Sequence, residues 1–414
     1  MMIFFDVALI ILGAYVLIVT MHLVLLSAAA CLPRAARNNP HLEPIKIAVV
    51  VPAHNEEATI AKTVANILAC DYPREHRSLF VIADNCSDNT AARAKEAGAV
   101  VVVRVDPDNR GKGQALDWFL RCHSMSLKPY DVLVLLDADV EVAPDFLRAM
   151  RDAFADPTVQ AGQSYNGVAN PSENWRTALT YAGFAGVNHL RPLGQMRLFG
   201  GTMLKGTGMA FRTDVLLAQG WPPRSIVEDM EMTLTLAQTG VAVHYVPEAR
   251  MVSCAEKTAS QASSQRRRWE GGRFQLMAHY VPRLLFSSAR RPRLLLLGLL
   301  LELLTPPLTV TVLTTVLWGV VLLVRGWYEA SGVAALCLAG LGVYVATALY
   351  LVRAPRRVWA ALLQAPFFIV WKFVVYCGLI LHPEKNWVRT ARTSSPREPR
   401  DSEESPPMKE DNVV

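Results

Sequence analysis

The sequence has no paired-cysteine motif and little charge. Its seven cysteines are scattered and none forms a Cys-x-x-Cys pair, so neither a zinc site nor a disulfide framework is indicated. We interpret them as reduced packing residues in a cytosolic or membrane setting. Charged residues make up only 19% of the chain and the formal net charge is +6. No nucleic-acid partner is indicated, and a membrane surface or an anionic substrate is the simpler expectation.

Two common nucleotide-binding motifs are absent as well. The chain contains no G-x-x-x-x-G-K-[ST] pattern, which argues against a P-loop protein. No G-x-G-x-x-G follows its first predicted strand, which disfavours a dinucleotide cofactor. The sequence also has no internal repeat, so a solenoid or propeller is not expected.

Long apolar runs are present, and they lie at the two ends of a chain that is 52% hydrophobic over 414 residues. The first run is long enough to cross a bilayer and is broken only by Asp6 and His22. Its uncharged start, with Arg34 and Arg37 behind it, argues against a signal peptide. We expect a transmembrane helix in residues 1–32, with the next segment in the cytoplasm by the positive-inside rule.

The second apolar region follows an arginine cluster at residues 290–293. Residues 294–324 exceed a single span, and Glu302 and a Pro-Pro pair interrupt them. We expect interfacial helices in residues 273–304, three transmembrane helices in residues 305–382 and a disordered tail in residues 383–414. The three expected spans are Leu308–Val324, Gly332–Val352 and Val358–Leu381.

Between these regions, a polar linker at residues 33–45 leads into a domain at residues 46–272 in which strand and helix patterns alternate. Such alternation predicts βαβ units and an α/β domain with a mostly parallel sheet. The expected strands are Ile47–Val51, Leu79–Ala83, Val100–Val105, Val132–Leu136, Val159–Tyr165, Met209–Arg212 and Val241–Val246. The expected helices are Glu56–Ala69, Thr90–Ala97, Gly111–Arg121 and Ile226–Thr239.

The strand Val132–Leu136 runs directly into Asp137-Ala138-Asp139. An apolar run without helical period suits a strand buried on both faces, so its acids must lie where the strand leaves the sheet. Ligands bind at that edge of an open α/β sheet. Two carboxylates there would suit Mg²⁺ or Mn²⁺, although they would also suit a simple cap on the following segment.

Other polar clusters follow the neighbouring strands, including Pro52-Ala53-His54-Asn55-Glu56-Glu57 and the acids Asp84 and Asp88. Together they predict one polar crevice, although any single residue could be an ordinary helix cap. Arg110-Gly111-Lys112-Gly113 is a plausible phosphate site because its glycines permit close backbone approach and Lys112 adds positive charge.

Two further motifs have a structural and a functional interpretation. Glu228-Asp229 opens a predicted helix, where acids complement the helix dipole, but a carboxylate near a diphosphate is also poised to act as a general base. The cluster Gln265-Arg266-Arg267-Arg268-Trp269 suits a membrane-surface anchor. It equally suits binding of a departing diphosphate together with stacking of a sugar on the indole ring.

These motifs, in this order over roughly residues 47 to 270, resemble the inverting family-two glycosyltransferases of the GT-A fold. The resemblance is greatest to the membrane-bound branch that contains cellulose, chitin and hyaluronan synthases and related exopolysaccharide enzymes. The matching pieces are Val51-Pro52-Ala53-His54-Asn55-Glu56-Glu57, Asp84 with Asp88, Gly111-Lys112-Gly113-Gln114-Ala115-Leu116, Asp137-Ala138-Asp139, Glu228-Asp229 and Gln265-x-x-Arg268-Trp269.

The resemblance implies a role for each motif residue. Asp84 would bind the uracil of a UDP-sugar, and Lys112 would approach its diphosphate. Asp139 would bind Mg²⁺ or Mn²⁺, with Asp137 near the metal, the sugar or the ribose. The residues implied on the donor side are Pro52, Ala53, Glu56, Asp84, Lys112 and Asp137.

On the acceptor side, Asp229 would be the catalytic base and Glu228 its neighbour. Gln265 and Arg268 would meet the diphosphate, and Trp269 would form an acceptor platform. Gly206-Thr207-Gly208 lies where relatives place acceptor-side backbone.

The expected function is therefore transfer of a sugar from a UDP-sugar to a lipid-linked or growing glycan acceptor, with inversion to a β-linkage. The protein would be integral to a bacterial-type cell membrane, with membrane lipids as partners, a cytoplasmic catalytic domain and possible homo-oligomers. A processive polysaccharide synthase is the main alternative. A scaffold or transporter that binds nucleotide-sugar without turnover is the minor one, and Glu302 and Lys372 are its candidate intramembrane charges.

Overall fold

A single eight-stranded sheet organises the domain between the apolar ends. The computed structural model describes residues 2–33, 42–221, 227–255, 276–284, 294–371 and 373. The strand order across the sheet is β3-β2-β1-β4-β7-β6-β8-β5. The strands are β1 (Ile47–Ala53), β2 (Arg77–Asp84), β3 (Val100–Arg104), β4 (Val132–Leu135), β5 (Val140–Val142), β6 (Ala161–Val168), β7 (Met209–Arg212) and β8 (Val243–Ser253).

Most of the strand pairs are parallel. β1 pairs in parallel with β2 and β4, β2 with β3, and β6 with β8. β7 is antiparallel to β4 and β6, and β5 is antiparallel to β8. The expected mostly parallel α/β sheet is confirmed. Since β4 lies between β1 and β7, the acids that follow it emerge near the middle of the sheet.

Strand β4 is buried on both faces. Val132 and Val134 belong to the hydrophobic cluster on one side of the sheet, whereas Leu133 and Leu135 belong to the cluster on the other. All four side chains are fully buried. This alternation explains the uninterrupted apolar sequence, because both sets of side chains must be covered by helices.

The helices occupy both faces of the sheet and the apolar ends of the chain. Those within the domain are α2 (Ile60–Leu68), α3 (Thr90–Glu96), α4 (Lys112–Cys122), α5 (Ser124–Leu127), α6 (Phe146–Phe154), α7 (Trp175–Ala185), α8 (Arg191–Phe199), α9 (Thr213–Gln219) and α10 (Glu228–Thr239). The apolar helices are α1 (Met2–Ala30), α11 (Leu294–Leu304), α12 (Leu308–Val324), α13 (Tyr328–Leu351) and α14 (Arg356–Ala361). A π-helix, Gly186–Leu190, joins α7 to α8.

The helix expected at Glu56–Ala69 begins later, at Ile60. Asn55 has a positive φ of 54°, which is not helical, and its side-chain oxygen accepts a hydrogen bond from the Ser87 backbone at 2.8 Å. The Glu56 backbone N–H donates to the Thr90 hydroxyl at 2.7 Å. These bonds fasten the segment after β1 to Ser87 and Thr90, and the regular helix begins only at Ile60.

Within the described ranges, two helices are long and apolar enough to cross a membrane, Ile3–Ala30 and Tyr328–Leu351. They correspond to the first expected span and to Gly332–Val352. The expected span Leu308–Val324 is a 17-residue helix, bent by 69° from α11 at the Pro-Pro pair, and the two together are a third candidate. Of the expected span Val358–Leu381, residues 358–371 and 373 are described, and they begin in α14 and continue through a 3₁₀ helix at Leu362–Gln364. The rest of that span, with Lys372 and the tail, lies outside the described residues.

Helix α8 brings the domain into backbone contact with α1. A Cβ placed on Gly194 would lie 2.5 Å from the Leu26 carbonyl oxygen, closer than real atoms approach. Around this contact, α1, α7 and α13 share one hydrophobic cluster. The domain is thus packed directly against the apolar helices.

We predict that Gly194→Ala lowers the thermal unfolding temperature in detergent, because its methyl group must push α8 away from α1. Overpacking of this kind costs about 1–3 kcal/mol. Gly183→Ala is the matched control, since it lies on the neighbouring helix α7 with no atom within 4 Å of its added methyl. It should stabilise the helix by up to about 1 kcal/mol. Equal unfolding temperatures for the two variants would contradict the contact.

Candidate active site

Lys112 and Asp137 meet at the carboxyl end of β4. Lys112 is the first residue of α4 and Asp137 follows β4 closely, so the parallel sheet brings them to the same edge. The Lys112 ammonium donates to the Asp137 carboxylate with an Nζ–Oδ1 distance of 2.6 Å. It also donates to the carbonyl oxygen of Gly206. The Lys112 ammonium, which is predicted to bind a diphosphate, is therefore held in place by two acceptors.

The Gly206 loop, residues 200–208 between α8 and β7, is held in place by Gln163 of β6. The Gln163 side chain accepts from the Lys205 backbone at 2.8 Å and donates to the Thr207 carbonyl at 2.8 Å. The Asp137 backbone N–H donates to the Thr207 hydroxyl at 3.0 Å. Gly206 has a φ of +80°, which favours glycine. At Gly206 the loop therefore presents backbone, with no side chain, toward the crevice.

Asp229 also lies close to this loop. Its Oδ2 atom is 3.5 Å from the position that a Cβ on Gly206 would occupy. Asp229 and Glu228 begin α10, and the Thr233 hydroxyl ties the helix to the loop: it donates to the Asp229 carbonyl at 2.9 Å and accepts from the Leu204 backbone at 3.0 Å. The two acids and the Lys112–Asp137 pair thus share one crevice.

Burial perturbs the charges of this crevice. Burial, with the adjacent Asp229 carboxylate, raises the pKa of Glu228 from its ordinary 4.5 to about 7. Burial also raises the pKa of Asp229, although Lys112 and Lys205 oppose that rise. For Lys112, burial lowers the pKa, but the surrounding carboxylates, chiefly Asp137 and then Glu228, raise it overall. The site can therefore accept a proton near neutral pH while keeping its ammonium charged.

Asp84 forms a buried ion pair at the end of β2. Arg104 Nη1 lies 2.6 Å from Asp84 Oδ1, and the two side chains are only 4% and 8% exposed. Arg104 also binds Asp106 at 2.8 Å, and the His54 ring lies 2.7 Å from the Asp84 carbonyl. The adjoining backbone belongs to β1, which carries Pro52 and Ala53. The predicted nucleotide pocket is thus a rigid corner of the sheet edge.

The acids Asp88 and Glu56 have structural contacts at this corner. Asp88 accepts from the Thr90 backbone at 3.0 Å and from the Glu57 backbone at 3.2 Å. It therefore fastens the start of α3 to the loop after β1. Glu56 accepts from the Thr59 hydroxyl at 2.9 Å. These contacts fit the capping interpretation of Asp88.

Asp139 is half-buried two residues after Asp137, whose side chain is 39% exposed. The residues that the structure describes contain no group of three or more His, Cys, Asp or Glu side chains arranged to hold a metal ion. Two carboxylates can nevertheless hold Mg²⁺ or Mn²⁺ when diphosphate oxygens and water supply the remaining ligands, as is common for Mg²⁺. The donor set fits such a metal in the presence of substrate.

The predicted residues Gln265, Arg268 and Trp269 lie outside the described residues. Conversely, the structure adds three residues that sequence reasoning missed: Arg104, Lys205 and Gln163. Arg104 ends a strand and is buried, and Lys205 and Gln163 lie in or beside the Gly206 loop. A basic residue at the end of the apolar run 100–105 was the available signal for Arg104.

We predict that Arg104→Met destabilises the protein by about 3 kcal/mol or more, because it leaves the Asp84 carboxylate buried without its guanidinium. Arg148→Met is the control. Its partner Asp71 lies 2.8 Å away, but the two side chains are 42% and 70% exposed, and such pairs contribute about 1 kcal/mol or less. Thermal unfolding in detergent would measure both. A smaller loss for Arg104→Met than for Arg148→Met would contradict the assignment.

We also predict a pH-dependent stability that Glu228→Gln removes. The folded-state pKa of Glu228 is raised, so its contribution to stability is complete below pH 4.5 and is lost as pH rises through about 7. The variant should therefore gain stability relative to wild type between pH 5 and pH 8. Unfolding temperatures at both pH values test this, with Glu75→Gln at an exposed site as control. A constant difference between variant and wild type would refute it.

Comparison with known proteins places these motifs among sugar transferases. The chain is 30% identical over 247 residues to the beta-monoglucosyldiacylglycerol synthase of Synechocystis sp., covering 57% of this chain and 49% of that protein. It is 25% identical over 241 residues to cellulose synthase 2 of Novacetimonas hansenii, covering 55% of this chain and 14% of that protein. The chain thus spans about half the length, or less, of these curated relatives.

The fold also matches a solved structure. The mannosyltransferase PcManGT from Pyrobaculum calidifontis, in complex with GDP-Man and Mn²⁺, superposes with a TM-score of 0.55 at 19% identity, covering 85% of this chain and 98% of that one. At this identity the likeness supports the GT-A-type fold alone. Residues 44–272 match the family model described as "Glycosyltransferase like family 2". Since this match covers more than half of the chain and confirms the resemblance read from the motifs, the protein belongs to glycosyltransferase family 2.

Proposed function

We propose that the protein transfers a sugar from a UDP-sugar to a lipid-linked acceptor at the membrane, with inversion to a β-linkage. One observation carries the proposal. The Lys112–Asp137 pair and the Glu228–Asp229 pair meet around Gly206 at the carboxyl edge of the sheet. A cation for the leaving diphosphate and a base for the incoming hydroxyl thus share one crevice.

The donor would lie along the edge from β2 to β4. Asp84, held by Arg104, would accept hydrogen bonds from uracil, while Pro52, Ala53 and Glu56 would line the nucleotide pocket. Lys112 would bind the diphosphate. Asp139, with Asp137, would hold Mg²⁺ or Mn²⁺, which neutralises charge on the diphosphate when bound. The Mn²⁺ in the PcManGT complex supports a divalent metal.

The acceptor would approach from the side of α10. Its hydroxyl would lose a proton to a carboxylate oxygen of Asp229 as the oxygen attacks the anomeric carbon on the face opposite the diphosphate. The C–O bond to the diphosphate breaks as the new glycosidic bond forms. The raised pKa of Asp229 makes it a stronger base than an exposed aspartate. The neighbouring Glu228 would influence the protonation of Asp229 through its own charge.

Gln265, Arg268 and Trp269 complete the proposed site. The first two would bind the departing diphosphate, and the indole ring would support the acceptor sugar or head group. Arginine and glutamine donors suit phosphate oxygens, and aromatic rings suit the apolar faces of sugars.

A glycolipid product is favoured over a polymer by the kinship to the glucosyldiacylglycerol synthases. The membrane part of the described residues also holds only two or three candidate spans. A processive synthase remains the second candidate because cellulose synthase 2 is also a relative. In either case we propose an integral membrane protein whose catalytic domain faces the cytoplasm.

We predict that Asp229→Asn and Asp139→Ala each lower the transfer rate by roughly 10²- to 10⁴-fold, as expected when a base or a charge-stabilising group is lost. The measurement is UDP release by purified protein in lipid nanodiscs, after a screen of UDP-sugars against diacylglycerol and other lipid acceptors. Asp71→Asn, at an exposed site paired only with Arg148 in the contacts described, should retain the wild-type rate. Wild-type turnover by either active-site variant would refute the assignment.

Chromatography of radiolabelled product distinguishes the two candidates. One added sugar in the lipid fraction supports the glycolipid function, and a ladder or high polymer supports the processive alternative. Release of GDP from GDP-mannose, with no release from any UDP-sugar, would overturn the proposed donor.

A further inference from the structure

Glu302 is the one acid of the apolar helix α11, and it is buried against the catalytic domain. One carboxylate oxygen lies 3.3 Å from Arg191 Nη1 and 3.5 Å from Lys205 Nζ. The other accepts from Gln195 Nε2 at 2.8 Å. The side chains of Arg191, Glu302 and Lys205 are 3%, 5% and 9% exposed. Burying three charges is costly unless each is compensated.

This cluster joins α11 to three other parts of the molecule. Arg191 donates to the Tyr344 hydroxyl of α13 at 3.0 Å. Gln195 accepts from the Thr202 hydroxyl at 2.6 Å, and Thr202 lies in the loop that contains Gly206. Glu302 therefore contacts the Gly206 loop at Lys205, while its helix packs against Met203 and α10 of the catalytic domain.

Lys205 is the member of the cluster that reaches the active site. It directly precedes Gly206, whose carbonyl accepts from Lys112 and whose Cα faces the Asp229 carboxylate. Its backbone N–H is fixed by Gln163. The Lys205 charge also acts on Asp229, opposing the rise in the pKa of that acid. Lys205 thus lies between the Glu302 carboxylate and Asp229, the proposed base.

Along this path positive and negative groups alternate: Arg191, Glu302, Lys205, Asp229 with Glu228, Lys112 and Asp137. Each inner member has an opposite charge on either side. Removal of one charged group would leave the opposite charges beside it uncompensated, in a region where little water can screen them.

We propose that Glu302 and Lys205 are a positioning pair that sets the Gly206 loop, and through it Lys112 and Asp229, when α11 is docked on the catalytic domain. The pair does not touch substrate. It makes the geometry of the transfer site depend on the apolar segment. This inference rests on the proposed transferase function, because it concerns how that reaction is arranged.

The test compares Glu302→Gln, Lys205→Met and the double variant with wild type, using full-length protein in nanodiscs. Glu302→Gln keeps the shape of the side chain and removes its charge, and it replaces one of the two acceptor oxygens with an NH₂ donor. We expect each single variant to lower kcat roughly three- to thirty-fold, the range typical of coupling residues, while the donor KM stays within about two-fold. The double variant should lose no more than the worse single variant, because both changes break the same pair. Glu302→Asp, which keeps the charge, should lose less than Glu302→Gln.

Asp6→Asn is the matched control. It breaks another ion pair between apolar helices, Asp6–Arg325 at 2.6 Å, which shares no residue with the active-site network. It should leave kcat at the wild-type value. Unfolding temperatures for all variants separate positioning from stability. The inference is overturned if Glu302→Gln keeps wild-type kcat, if its loss only follows the folded fraction, or if the single losses multiply. A wild-type protein inactive with every donor and acceptor would instead overturn the proposed function.

Discussion

Burial of strand β4 on both faces is the constraint on which the rest of the structure depends. Its four apolar residues belong alternately to two hydrophobic clusters, one on each face of the sheet. A charged side chain in that strand would be buried without compensation. Asp137 and Asp139 must therefore lie beyond the end of β4, which has β1 on one side and the antiparallel β7 on the other. Because β7 is antiparallel to β4, its first residue Met209 lies opposite Leu135, and the loop before β7 that contains Gly206 reaches the same edge. Asp137 meets Lys112 there because the parallel strands share one edge.

The acids of this crevice outnumber its basic groups, but Lys112 and Arg104 compensate them in part. Lys112 lies among Asp137, Glu228 and Asp229, and Arg104 neutralises Asp84 at the neighbouring strand. The donor proposed above carries a doubly charged diphosphate, and uncompensated carboxylates would repel it. Positive charges placed in advance lower that repulsion without movement of the protein during reaction. The raised pKa of Glu228, which favours its neutral form, explains why two acids in one helical turn can remain together.

The sequence allowed the sheet, its order of elements and the crevice residues to be predicted because those features are local. Strand β4 with its acids, and Lys112 at the start of α4, are visible as short motifs. The short strand β5 and the helices α6 to α9 were missed. Strand β5 has only three residues, too few for a pattern, whereas the apolar residues of α6 recur at helical spacing and could have predicted it. The pairing of Glu302 with Lys205 joins residues almost a hundred positions apart, and no local pattern contains it. Glu302 was noted as an isolated charge, but only the fold shows that it faces a lysine beside the active site.

The contact between Gly194 and Leu26 has a consequence for how substrates are reached. Two backbones that touch without an intervening side chain cannot slide along each other, since a shift of one turn, about 5.4 Å, would place a larger residue at the contact. The contact therefore fixes the distance between helix α1 and the sheet edge. For a chain held in a bilayer by α1, the height of the crevice above the lipid would be fixed by this glycine. Acceptors would then be sorted by how far their hydroxyl stands out from the membrane, in addition to their chemistry.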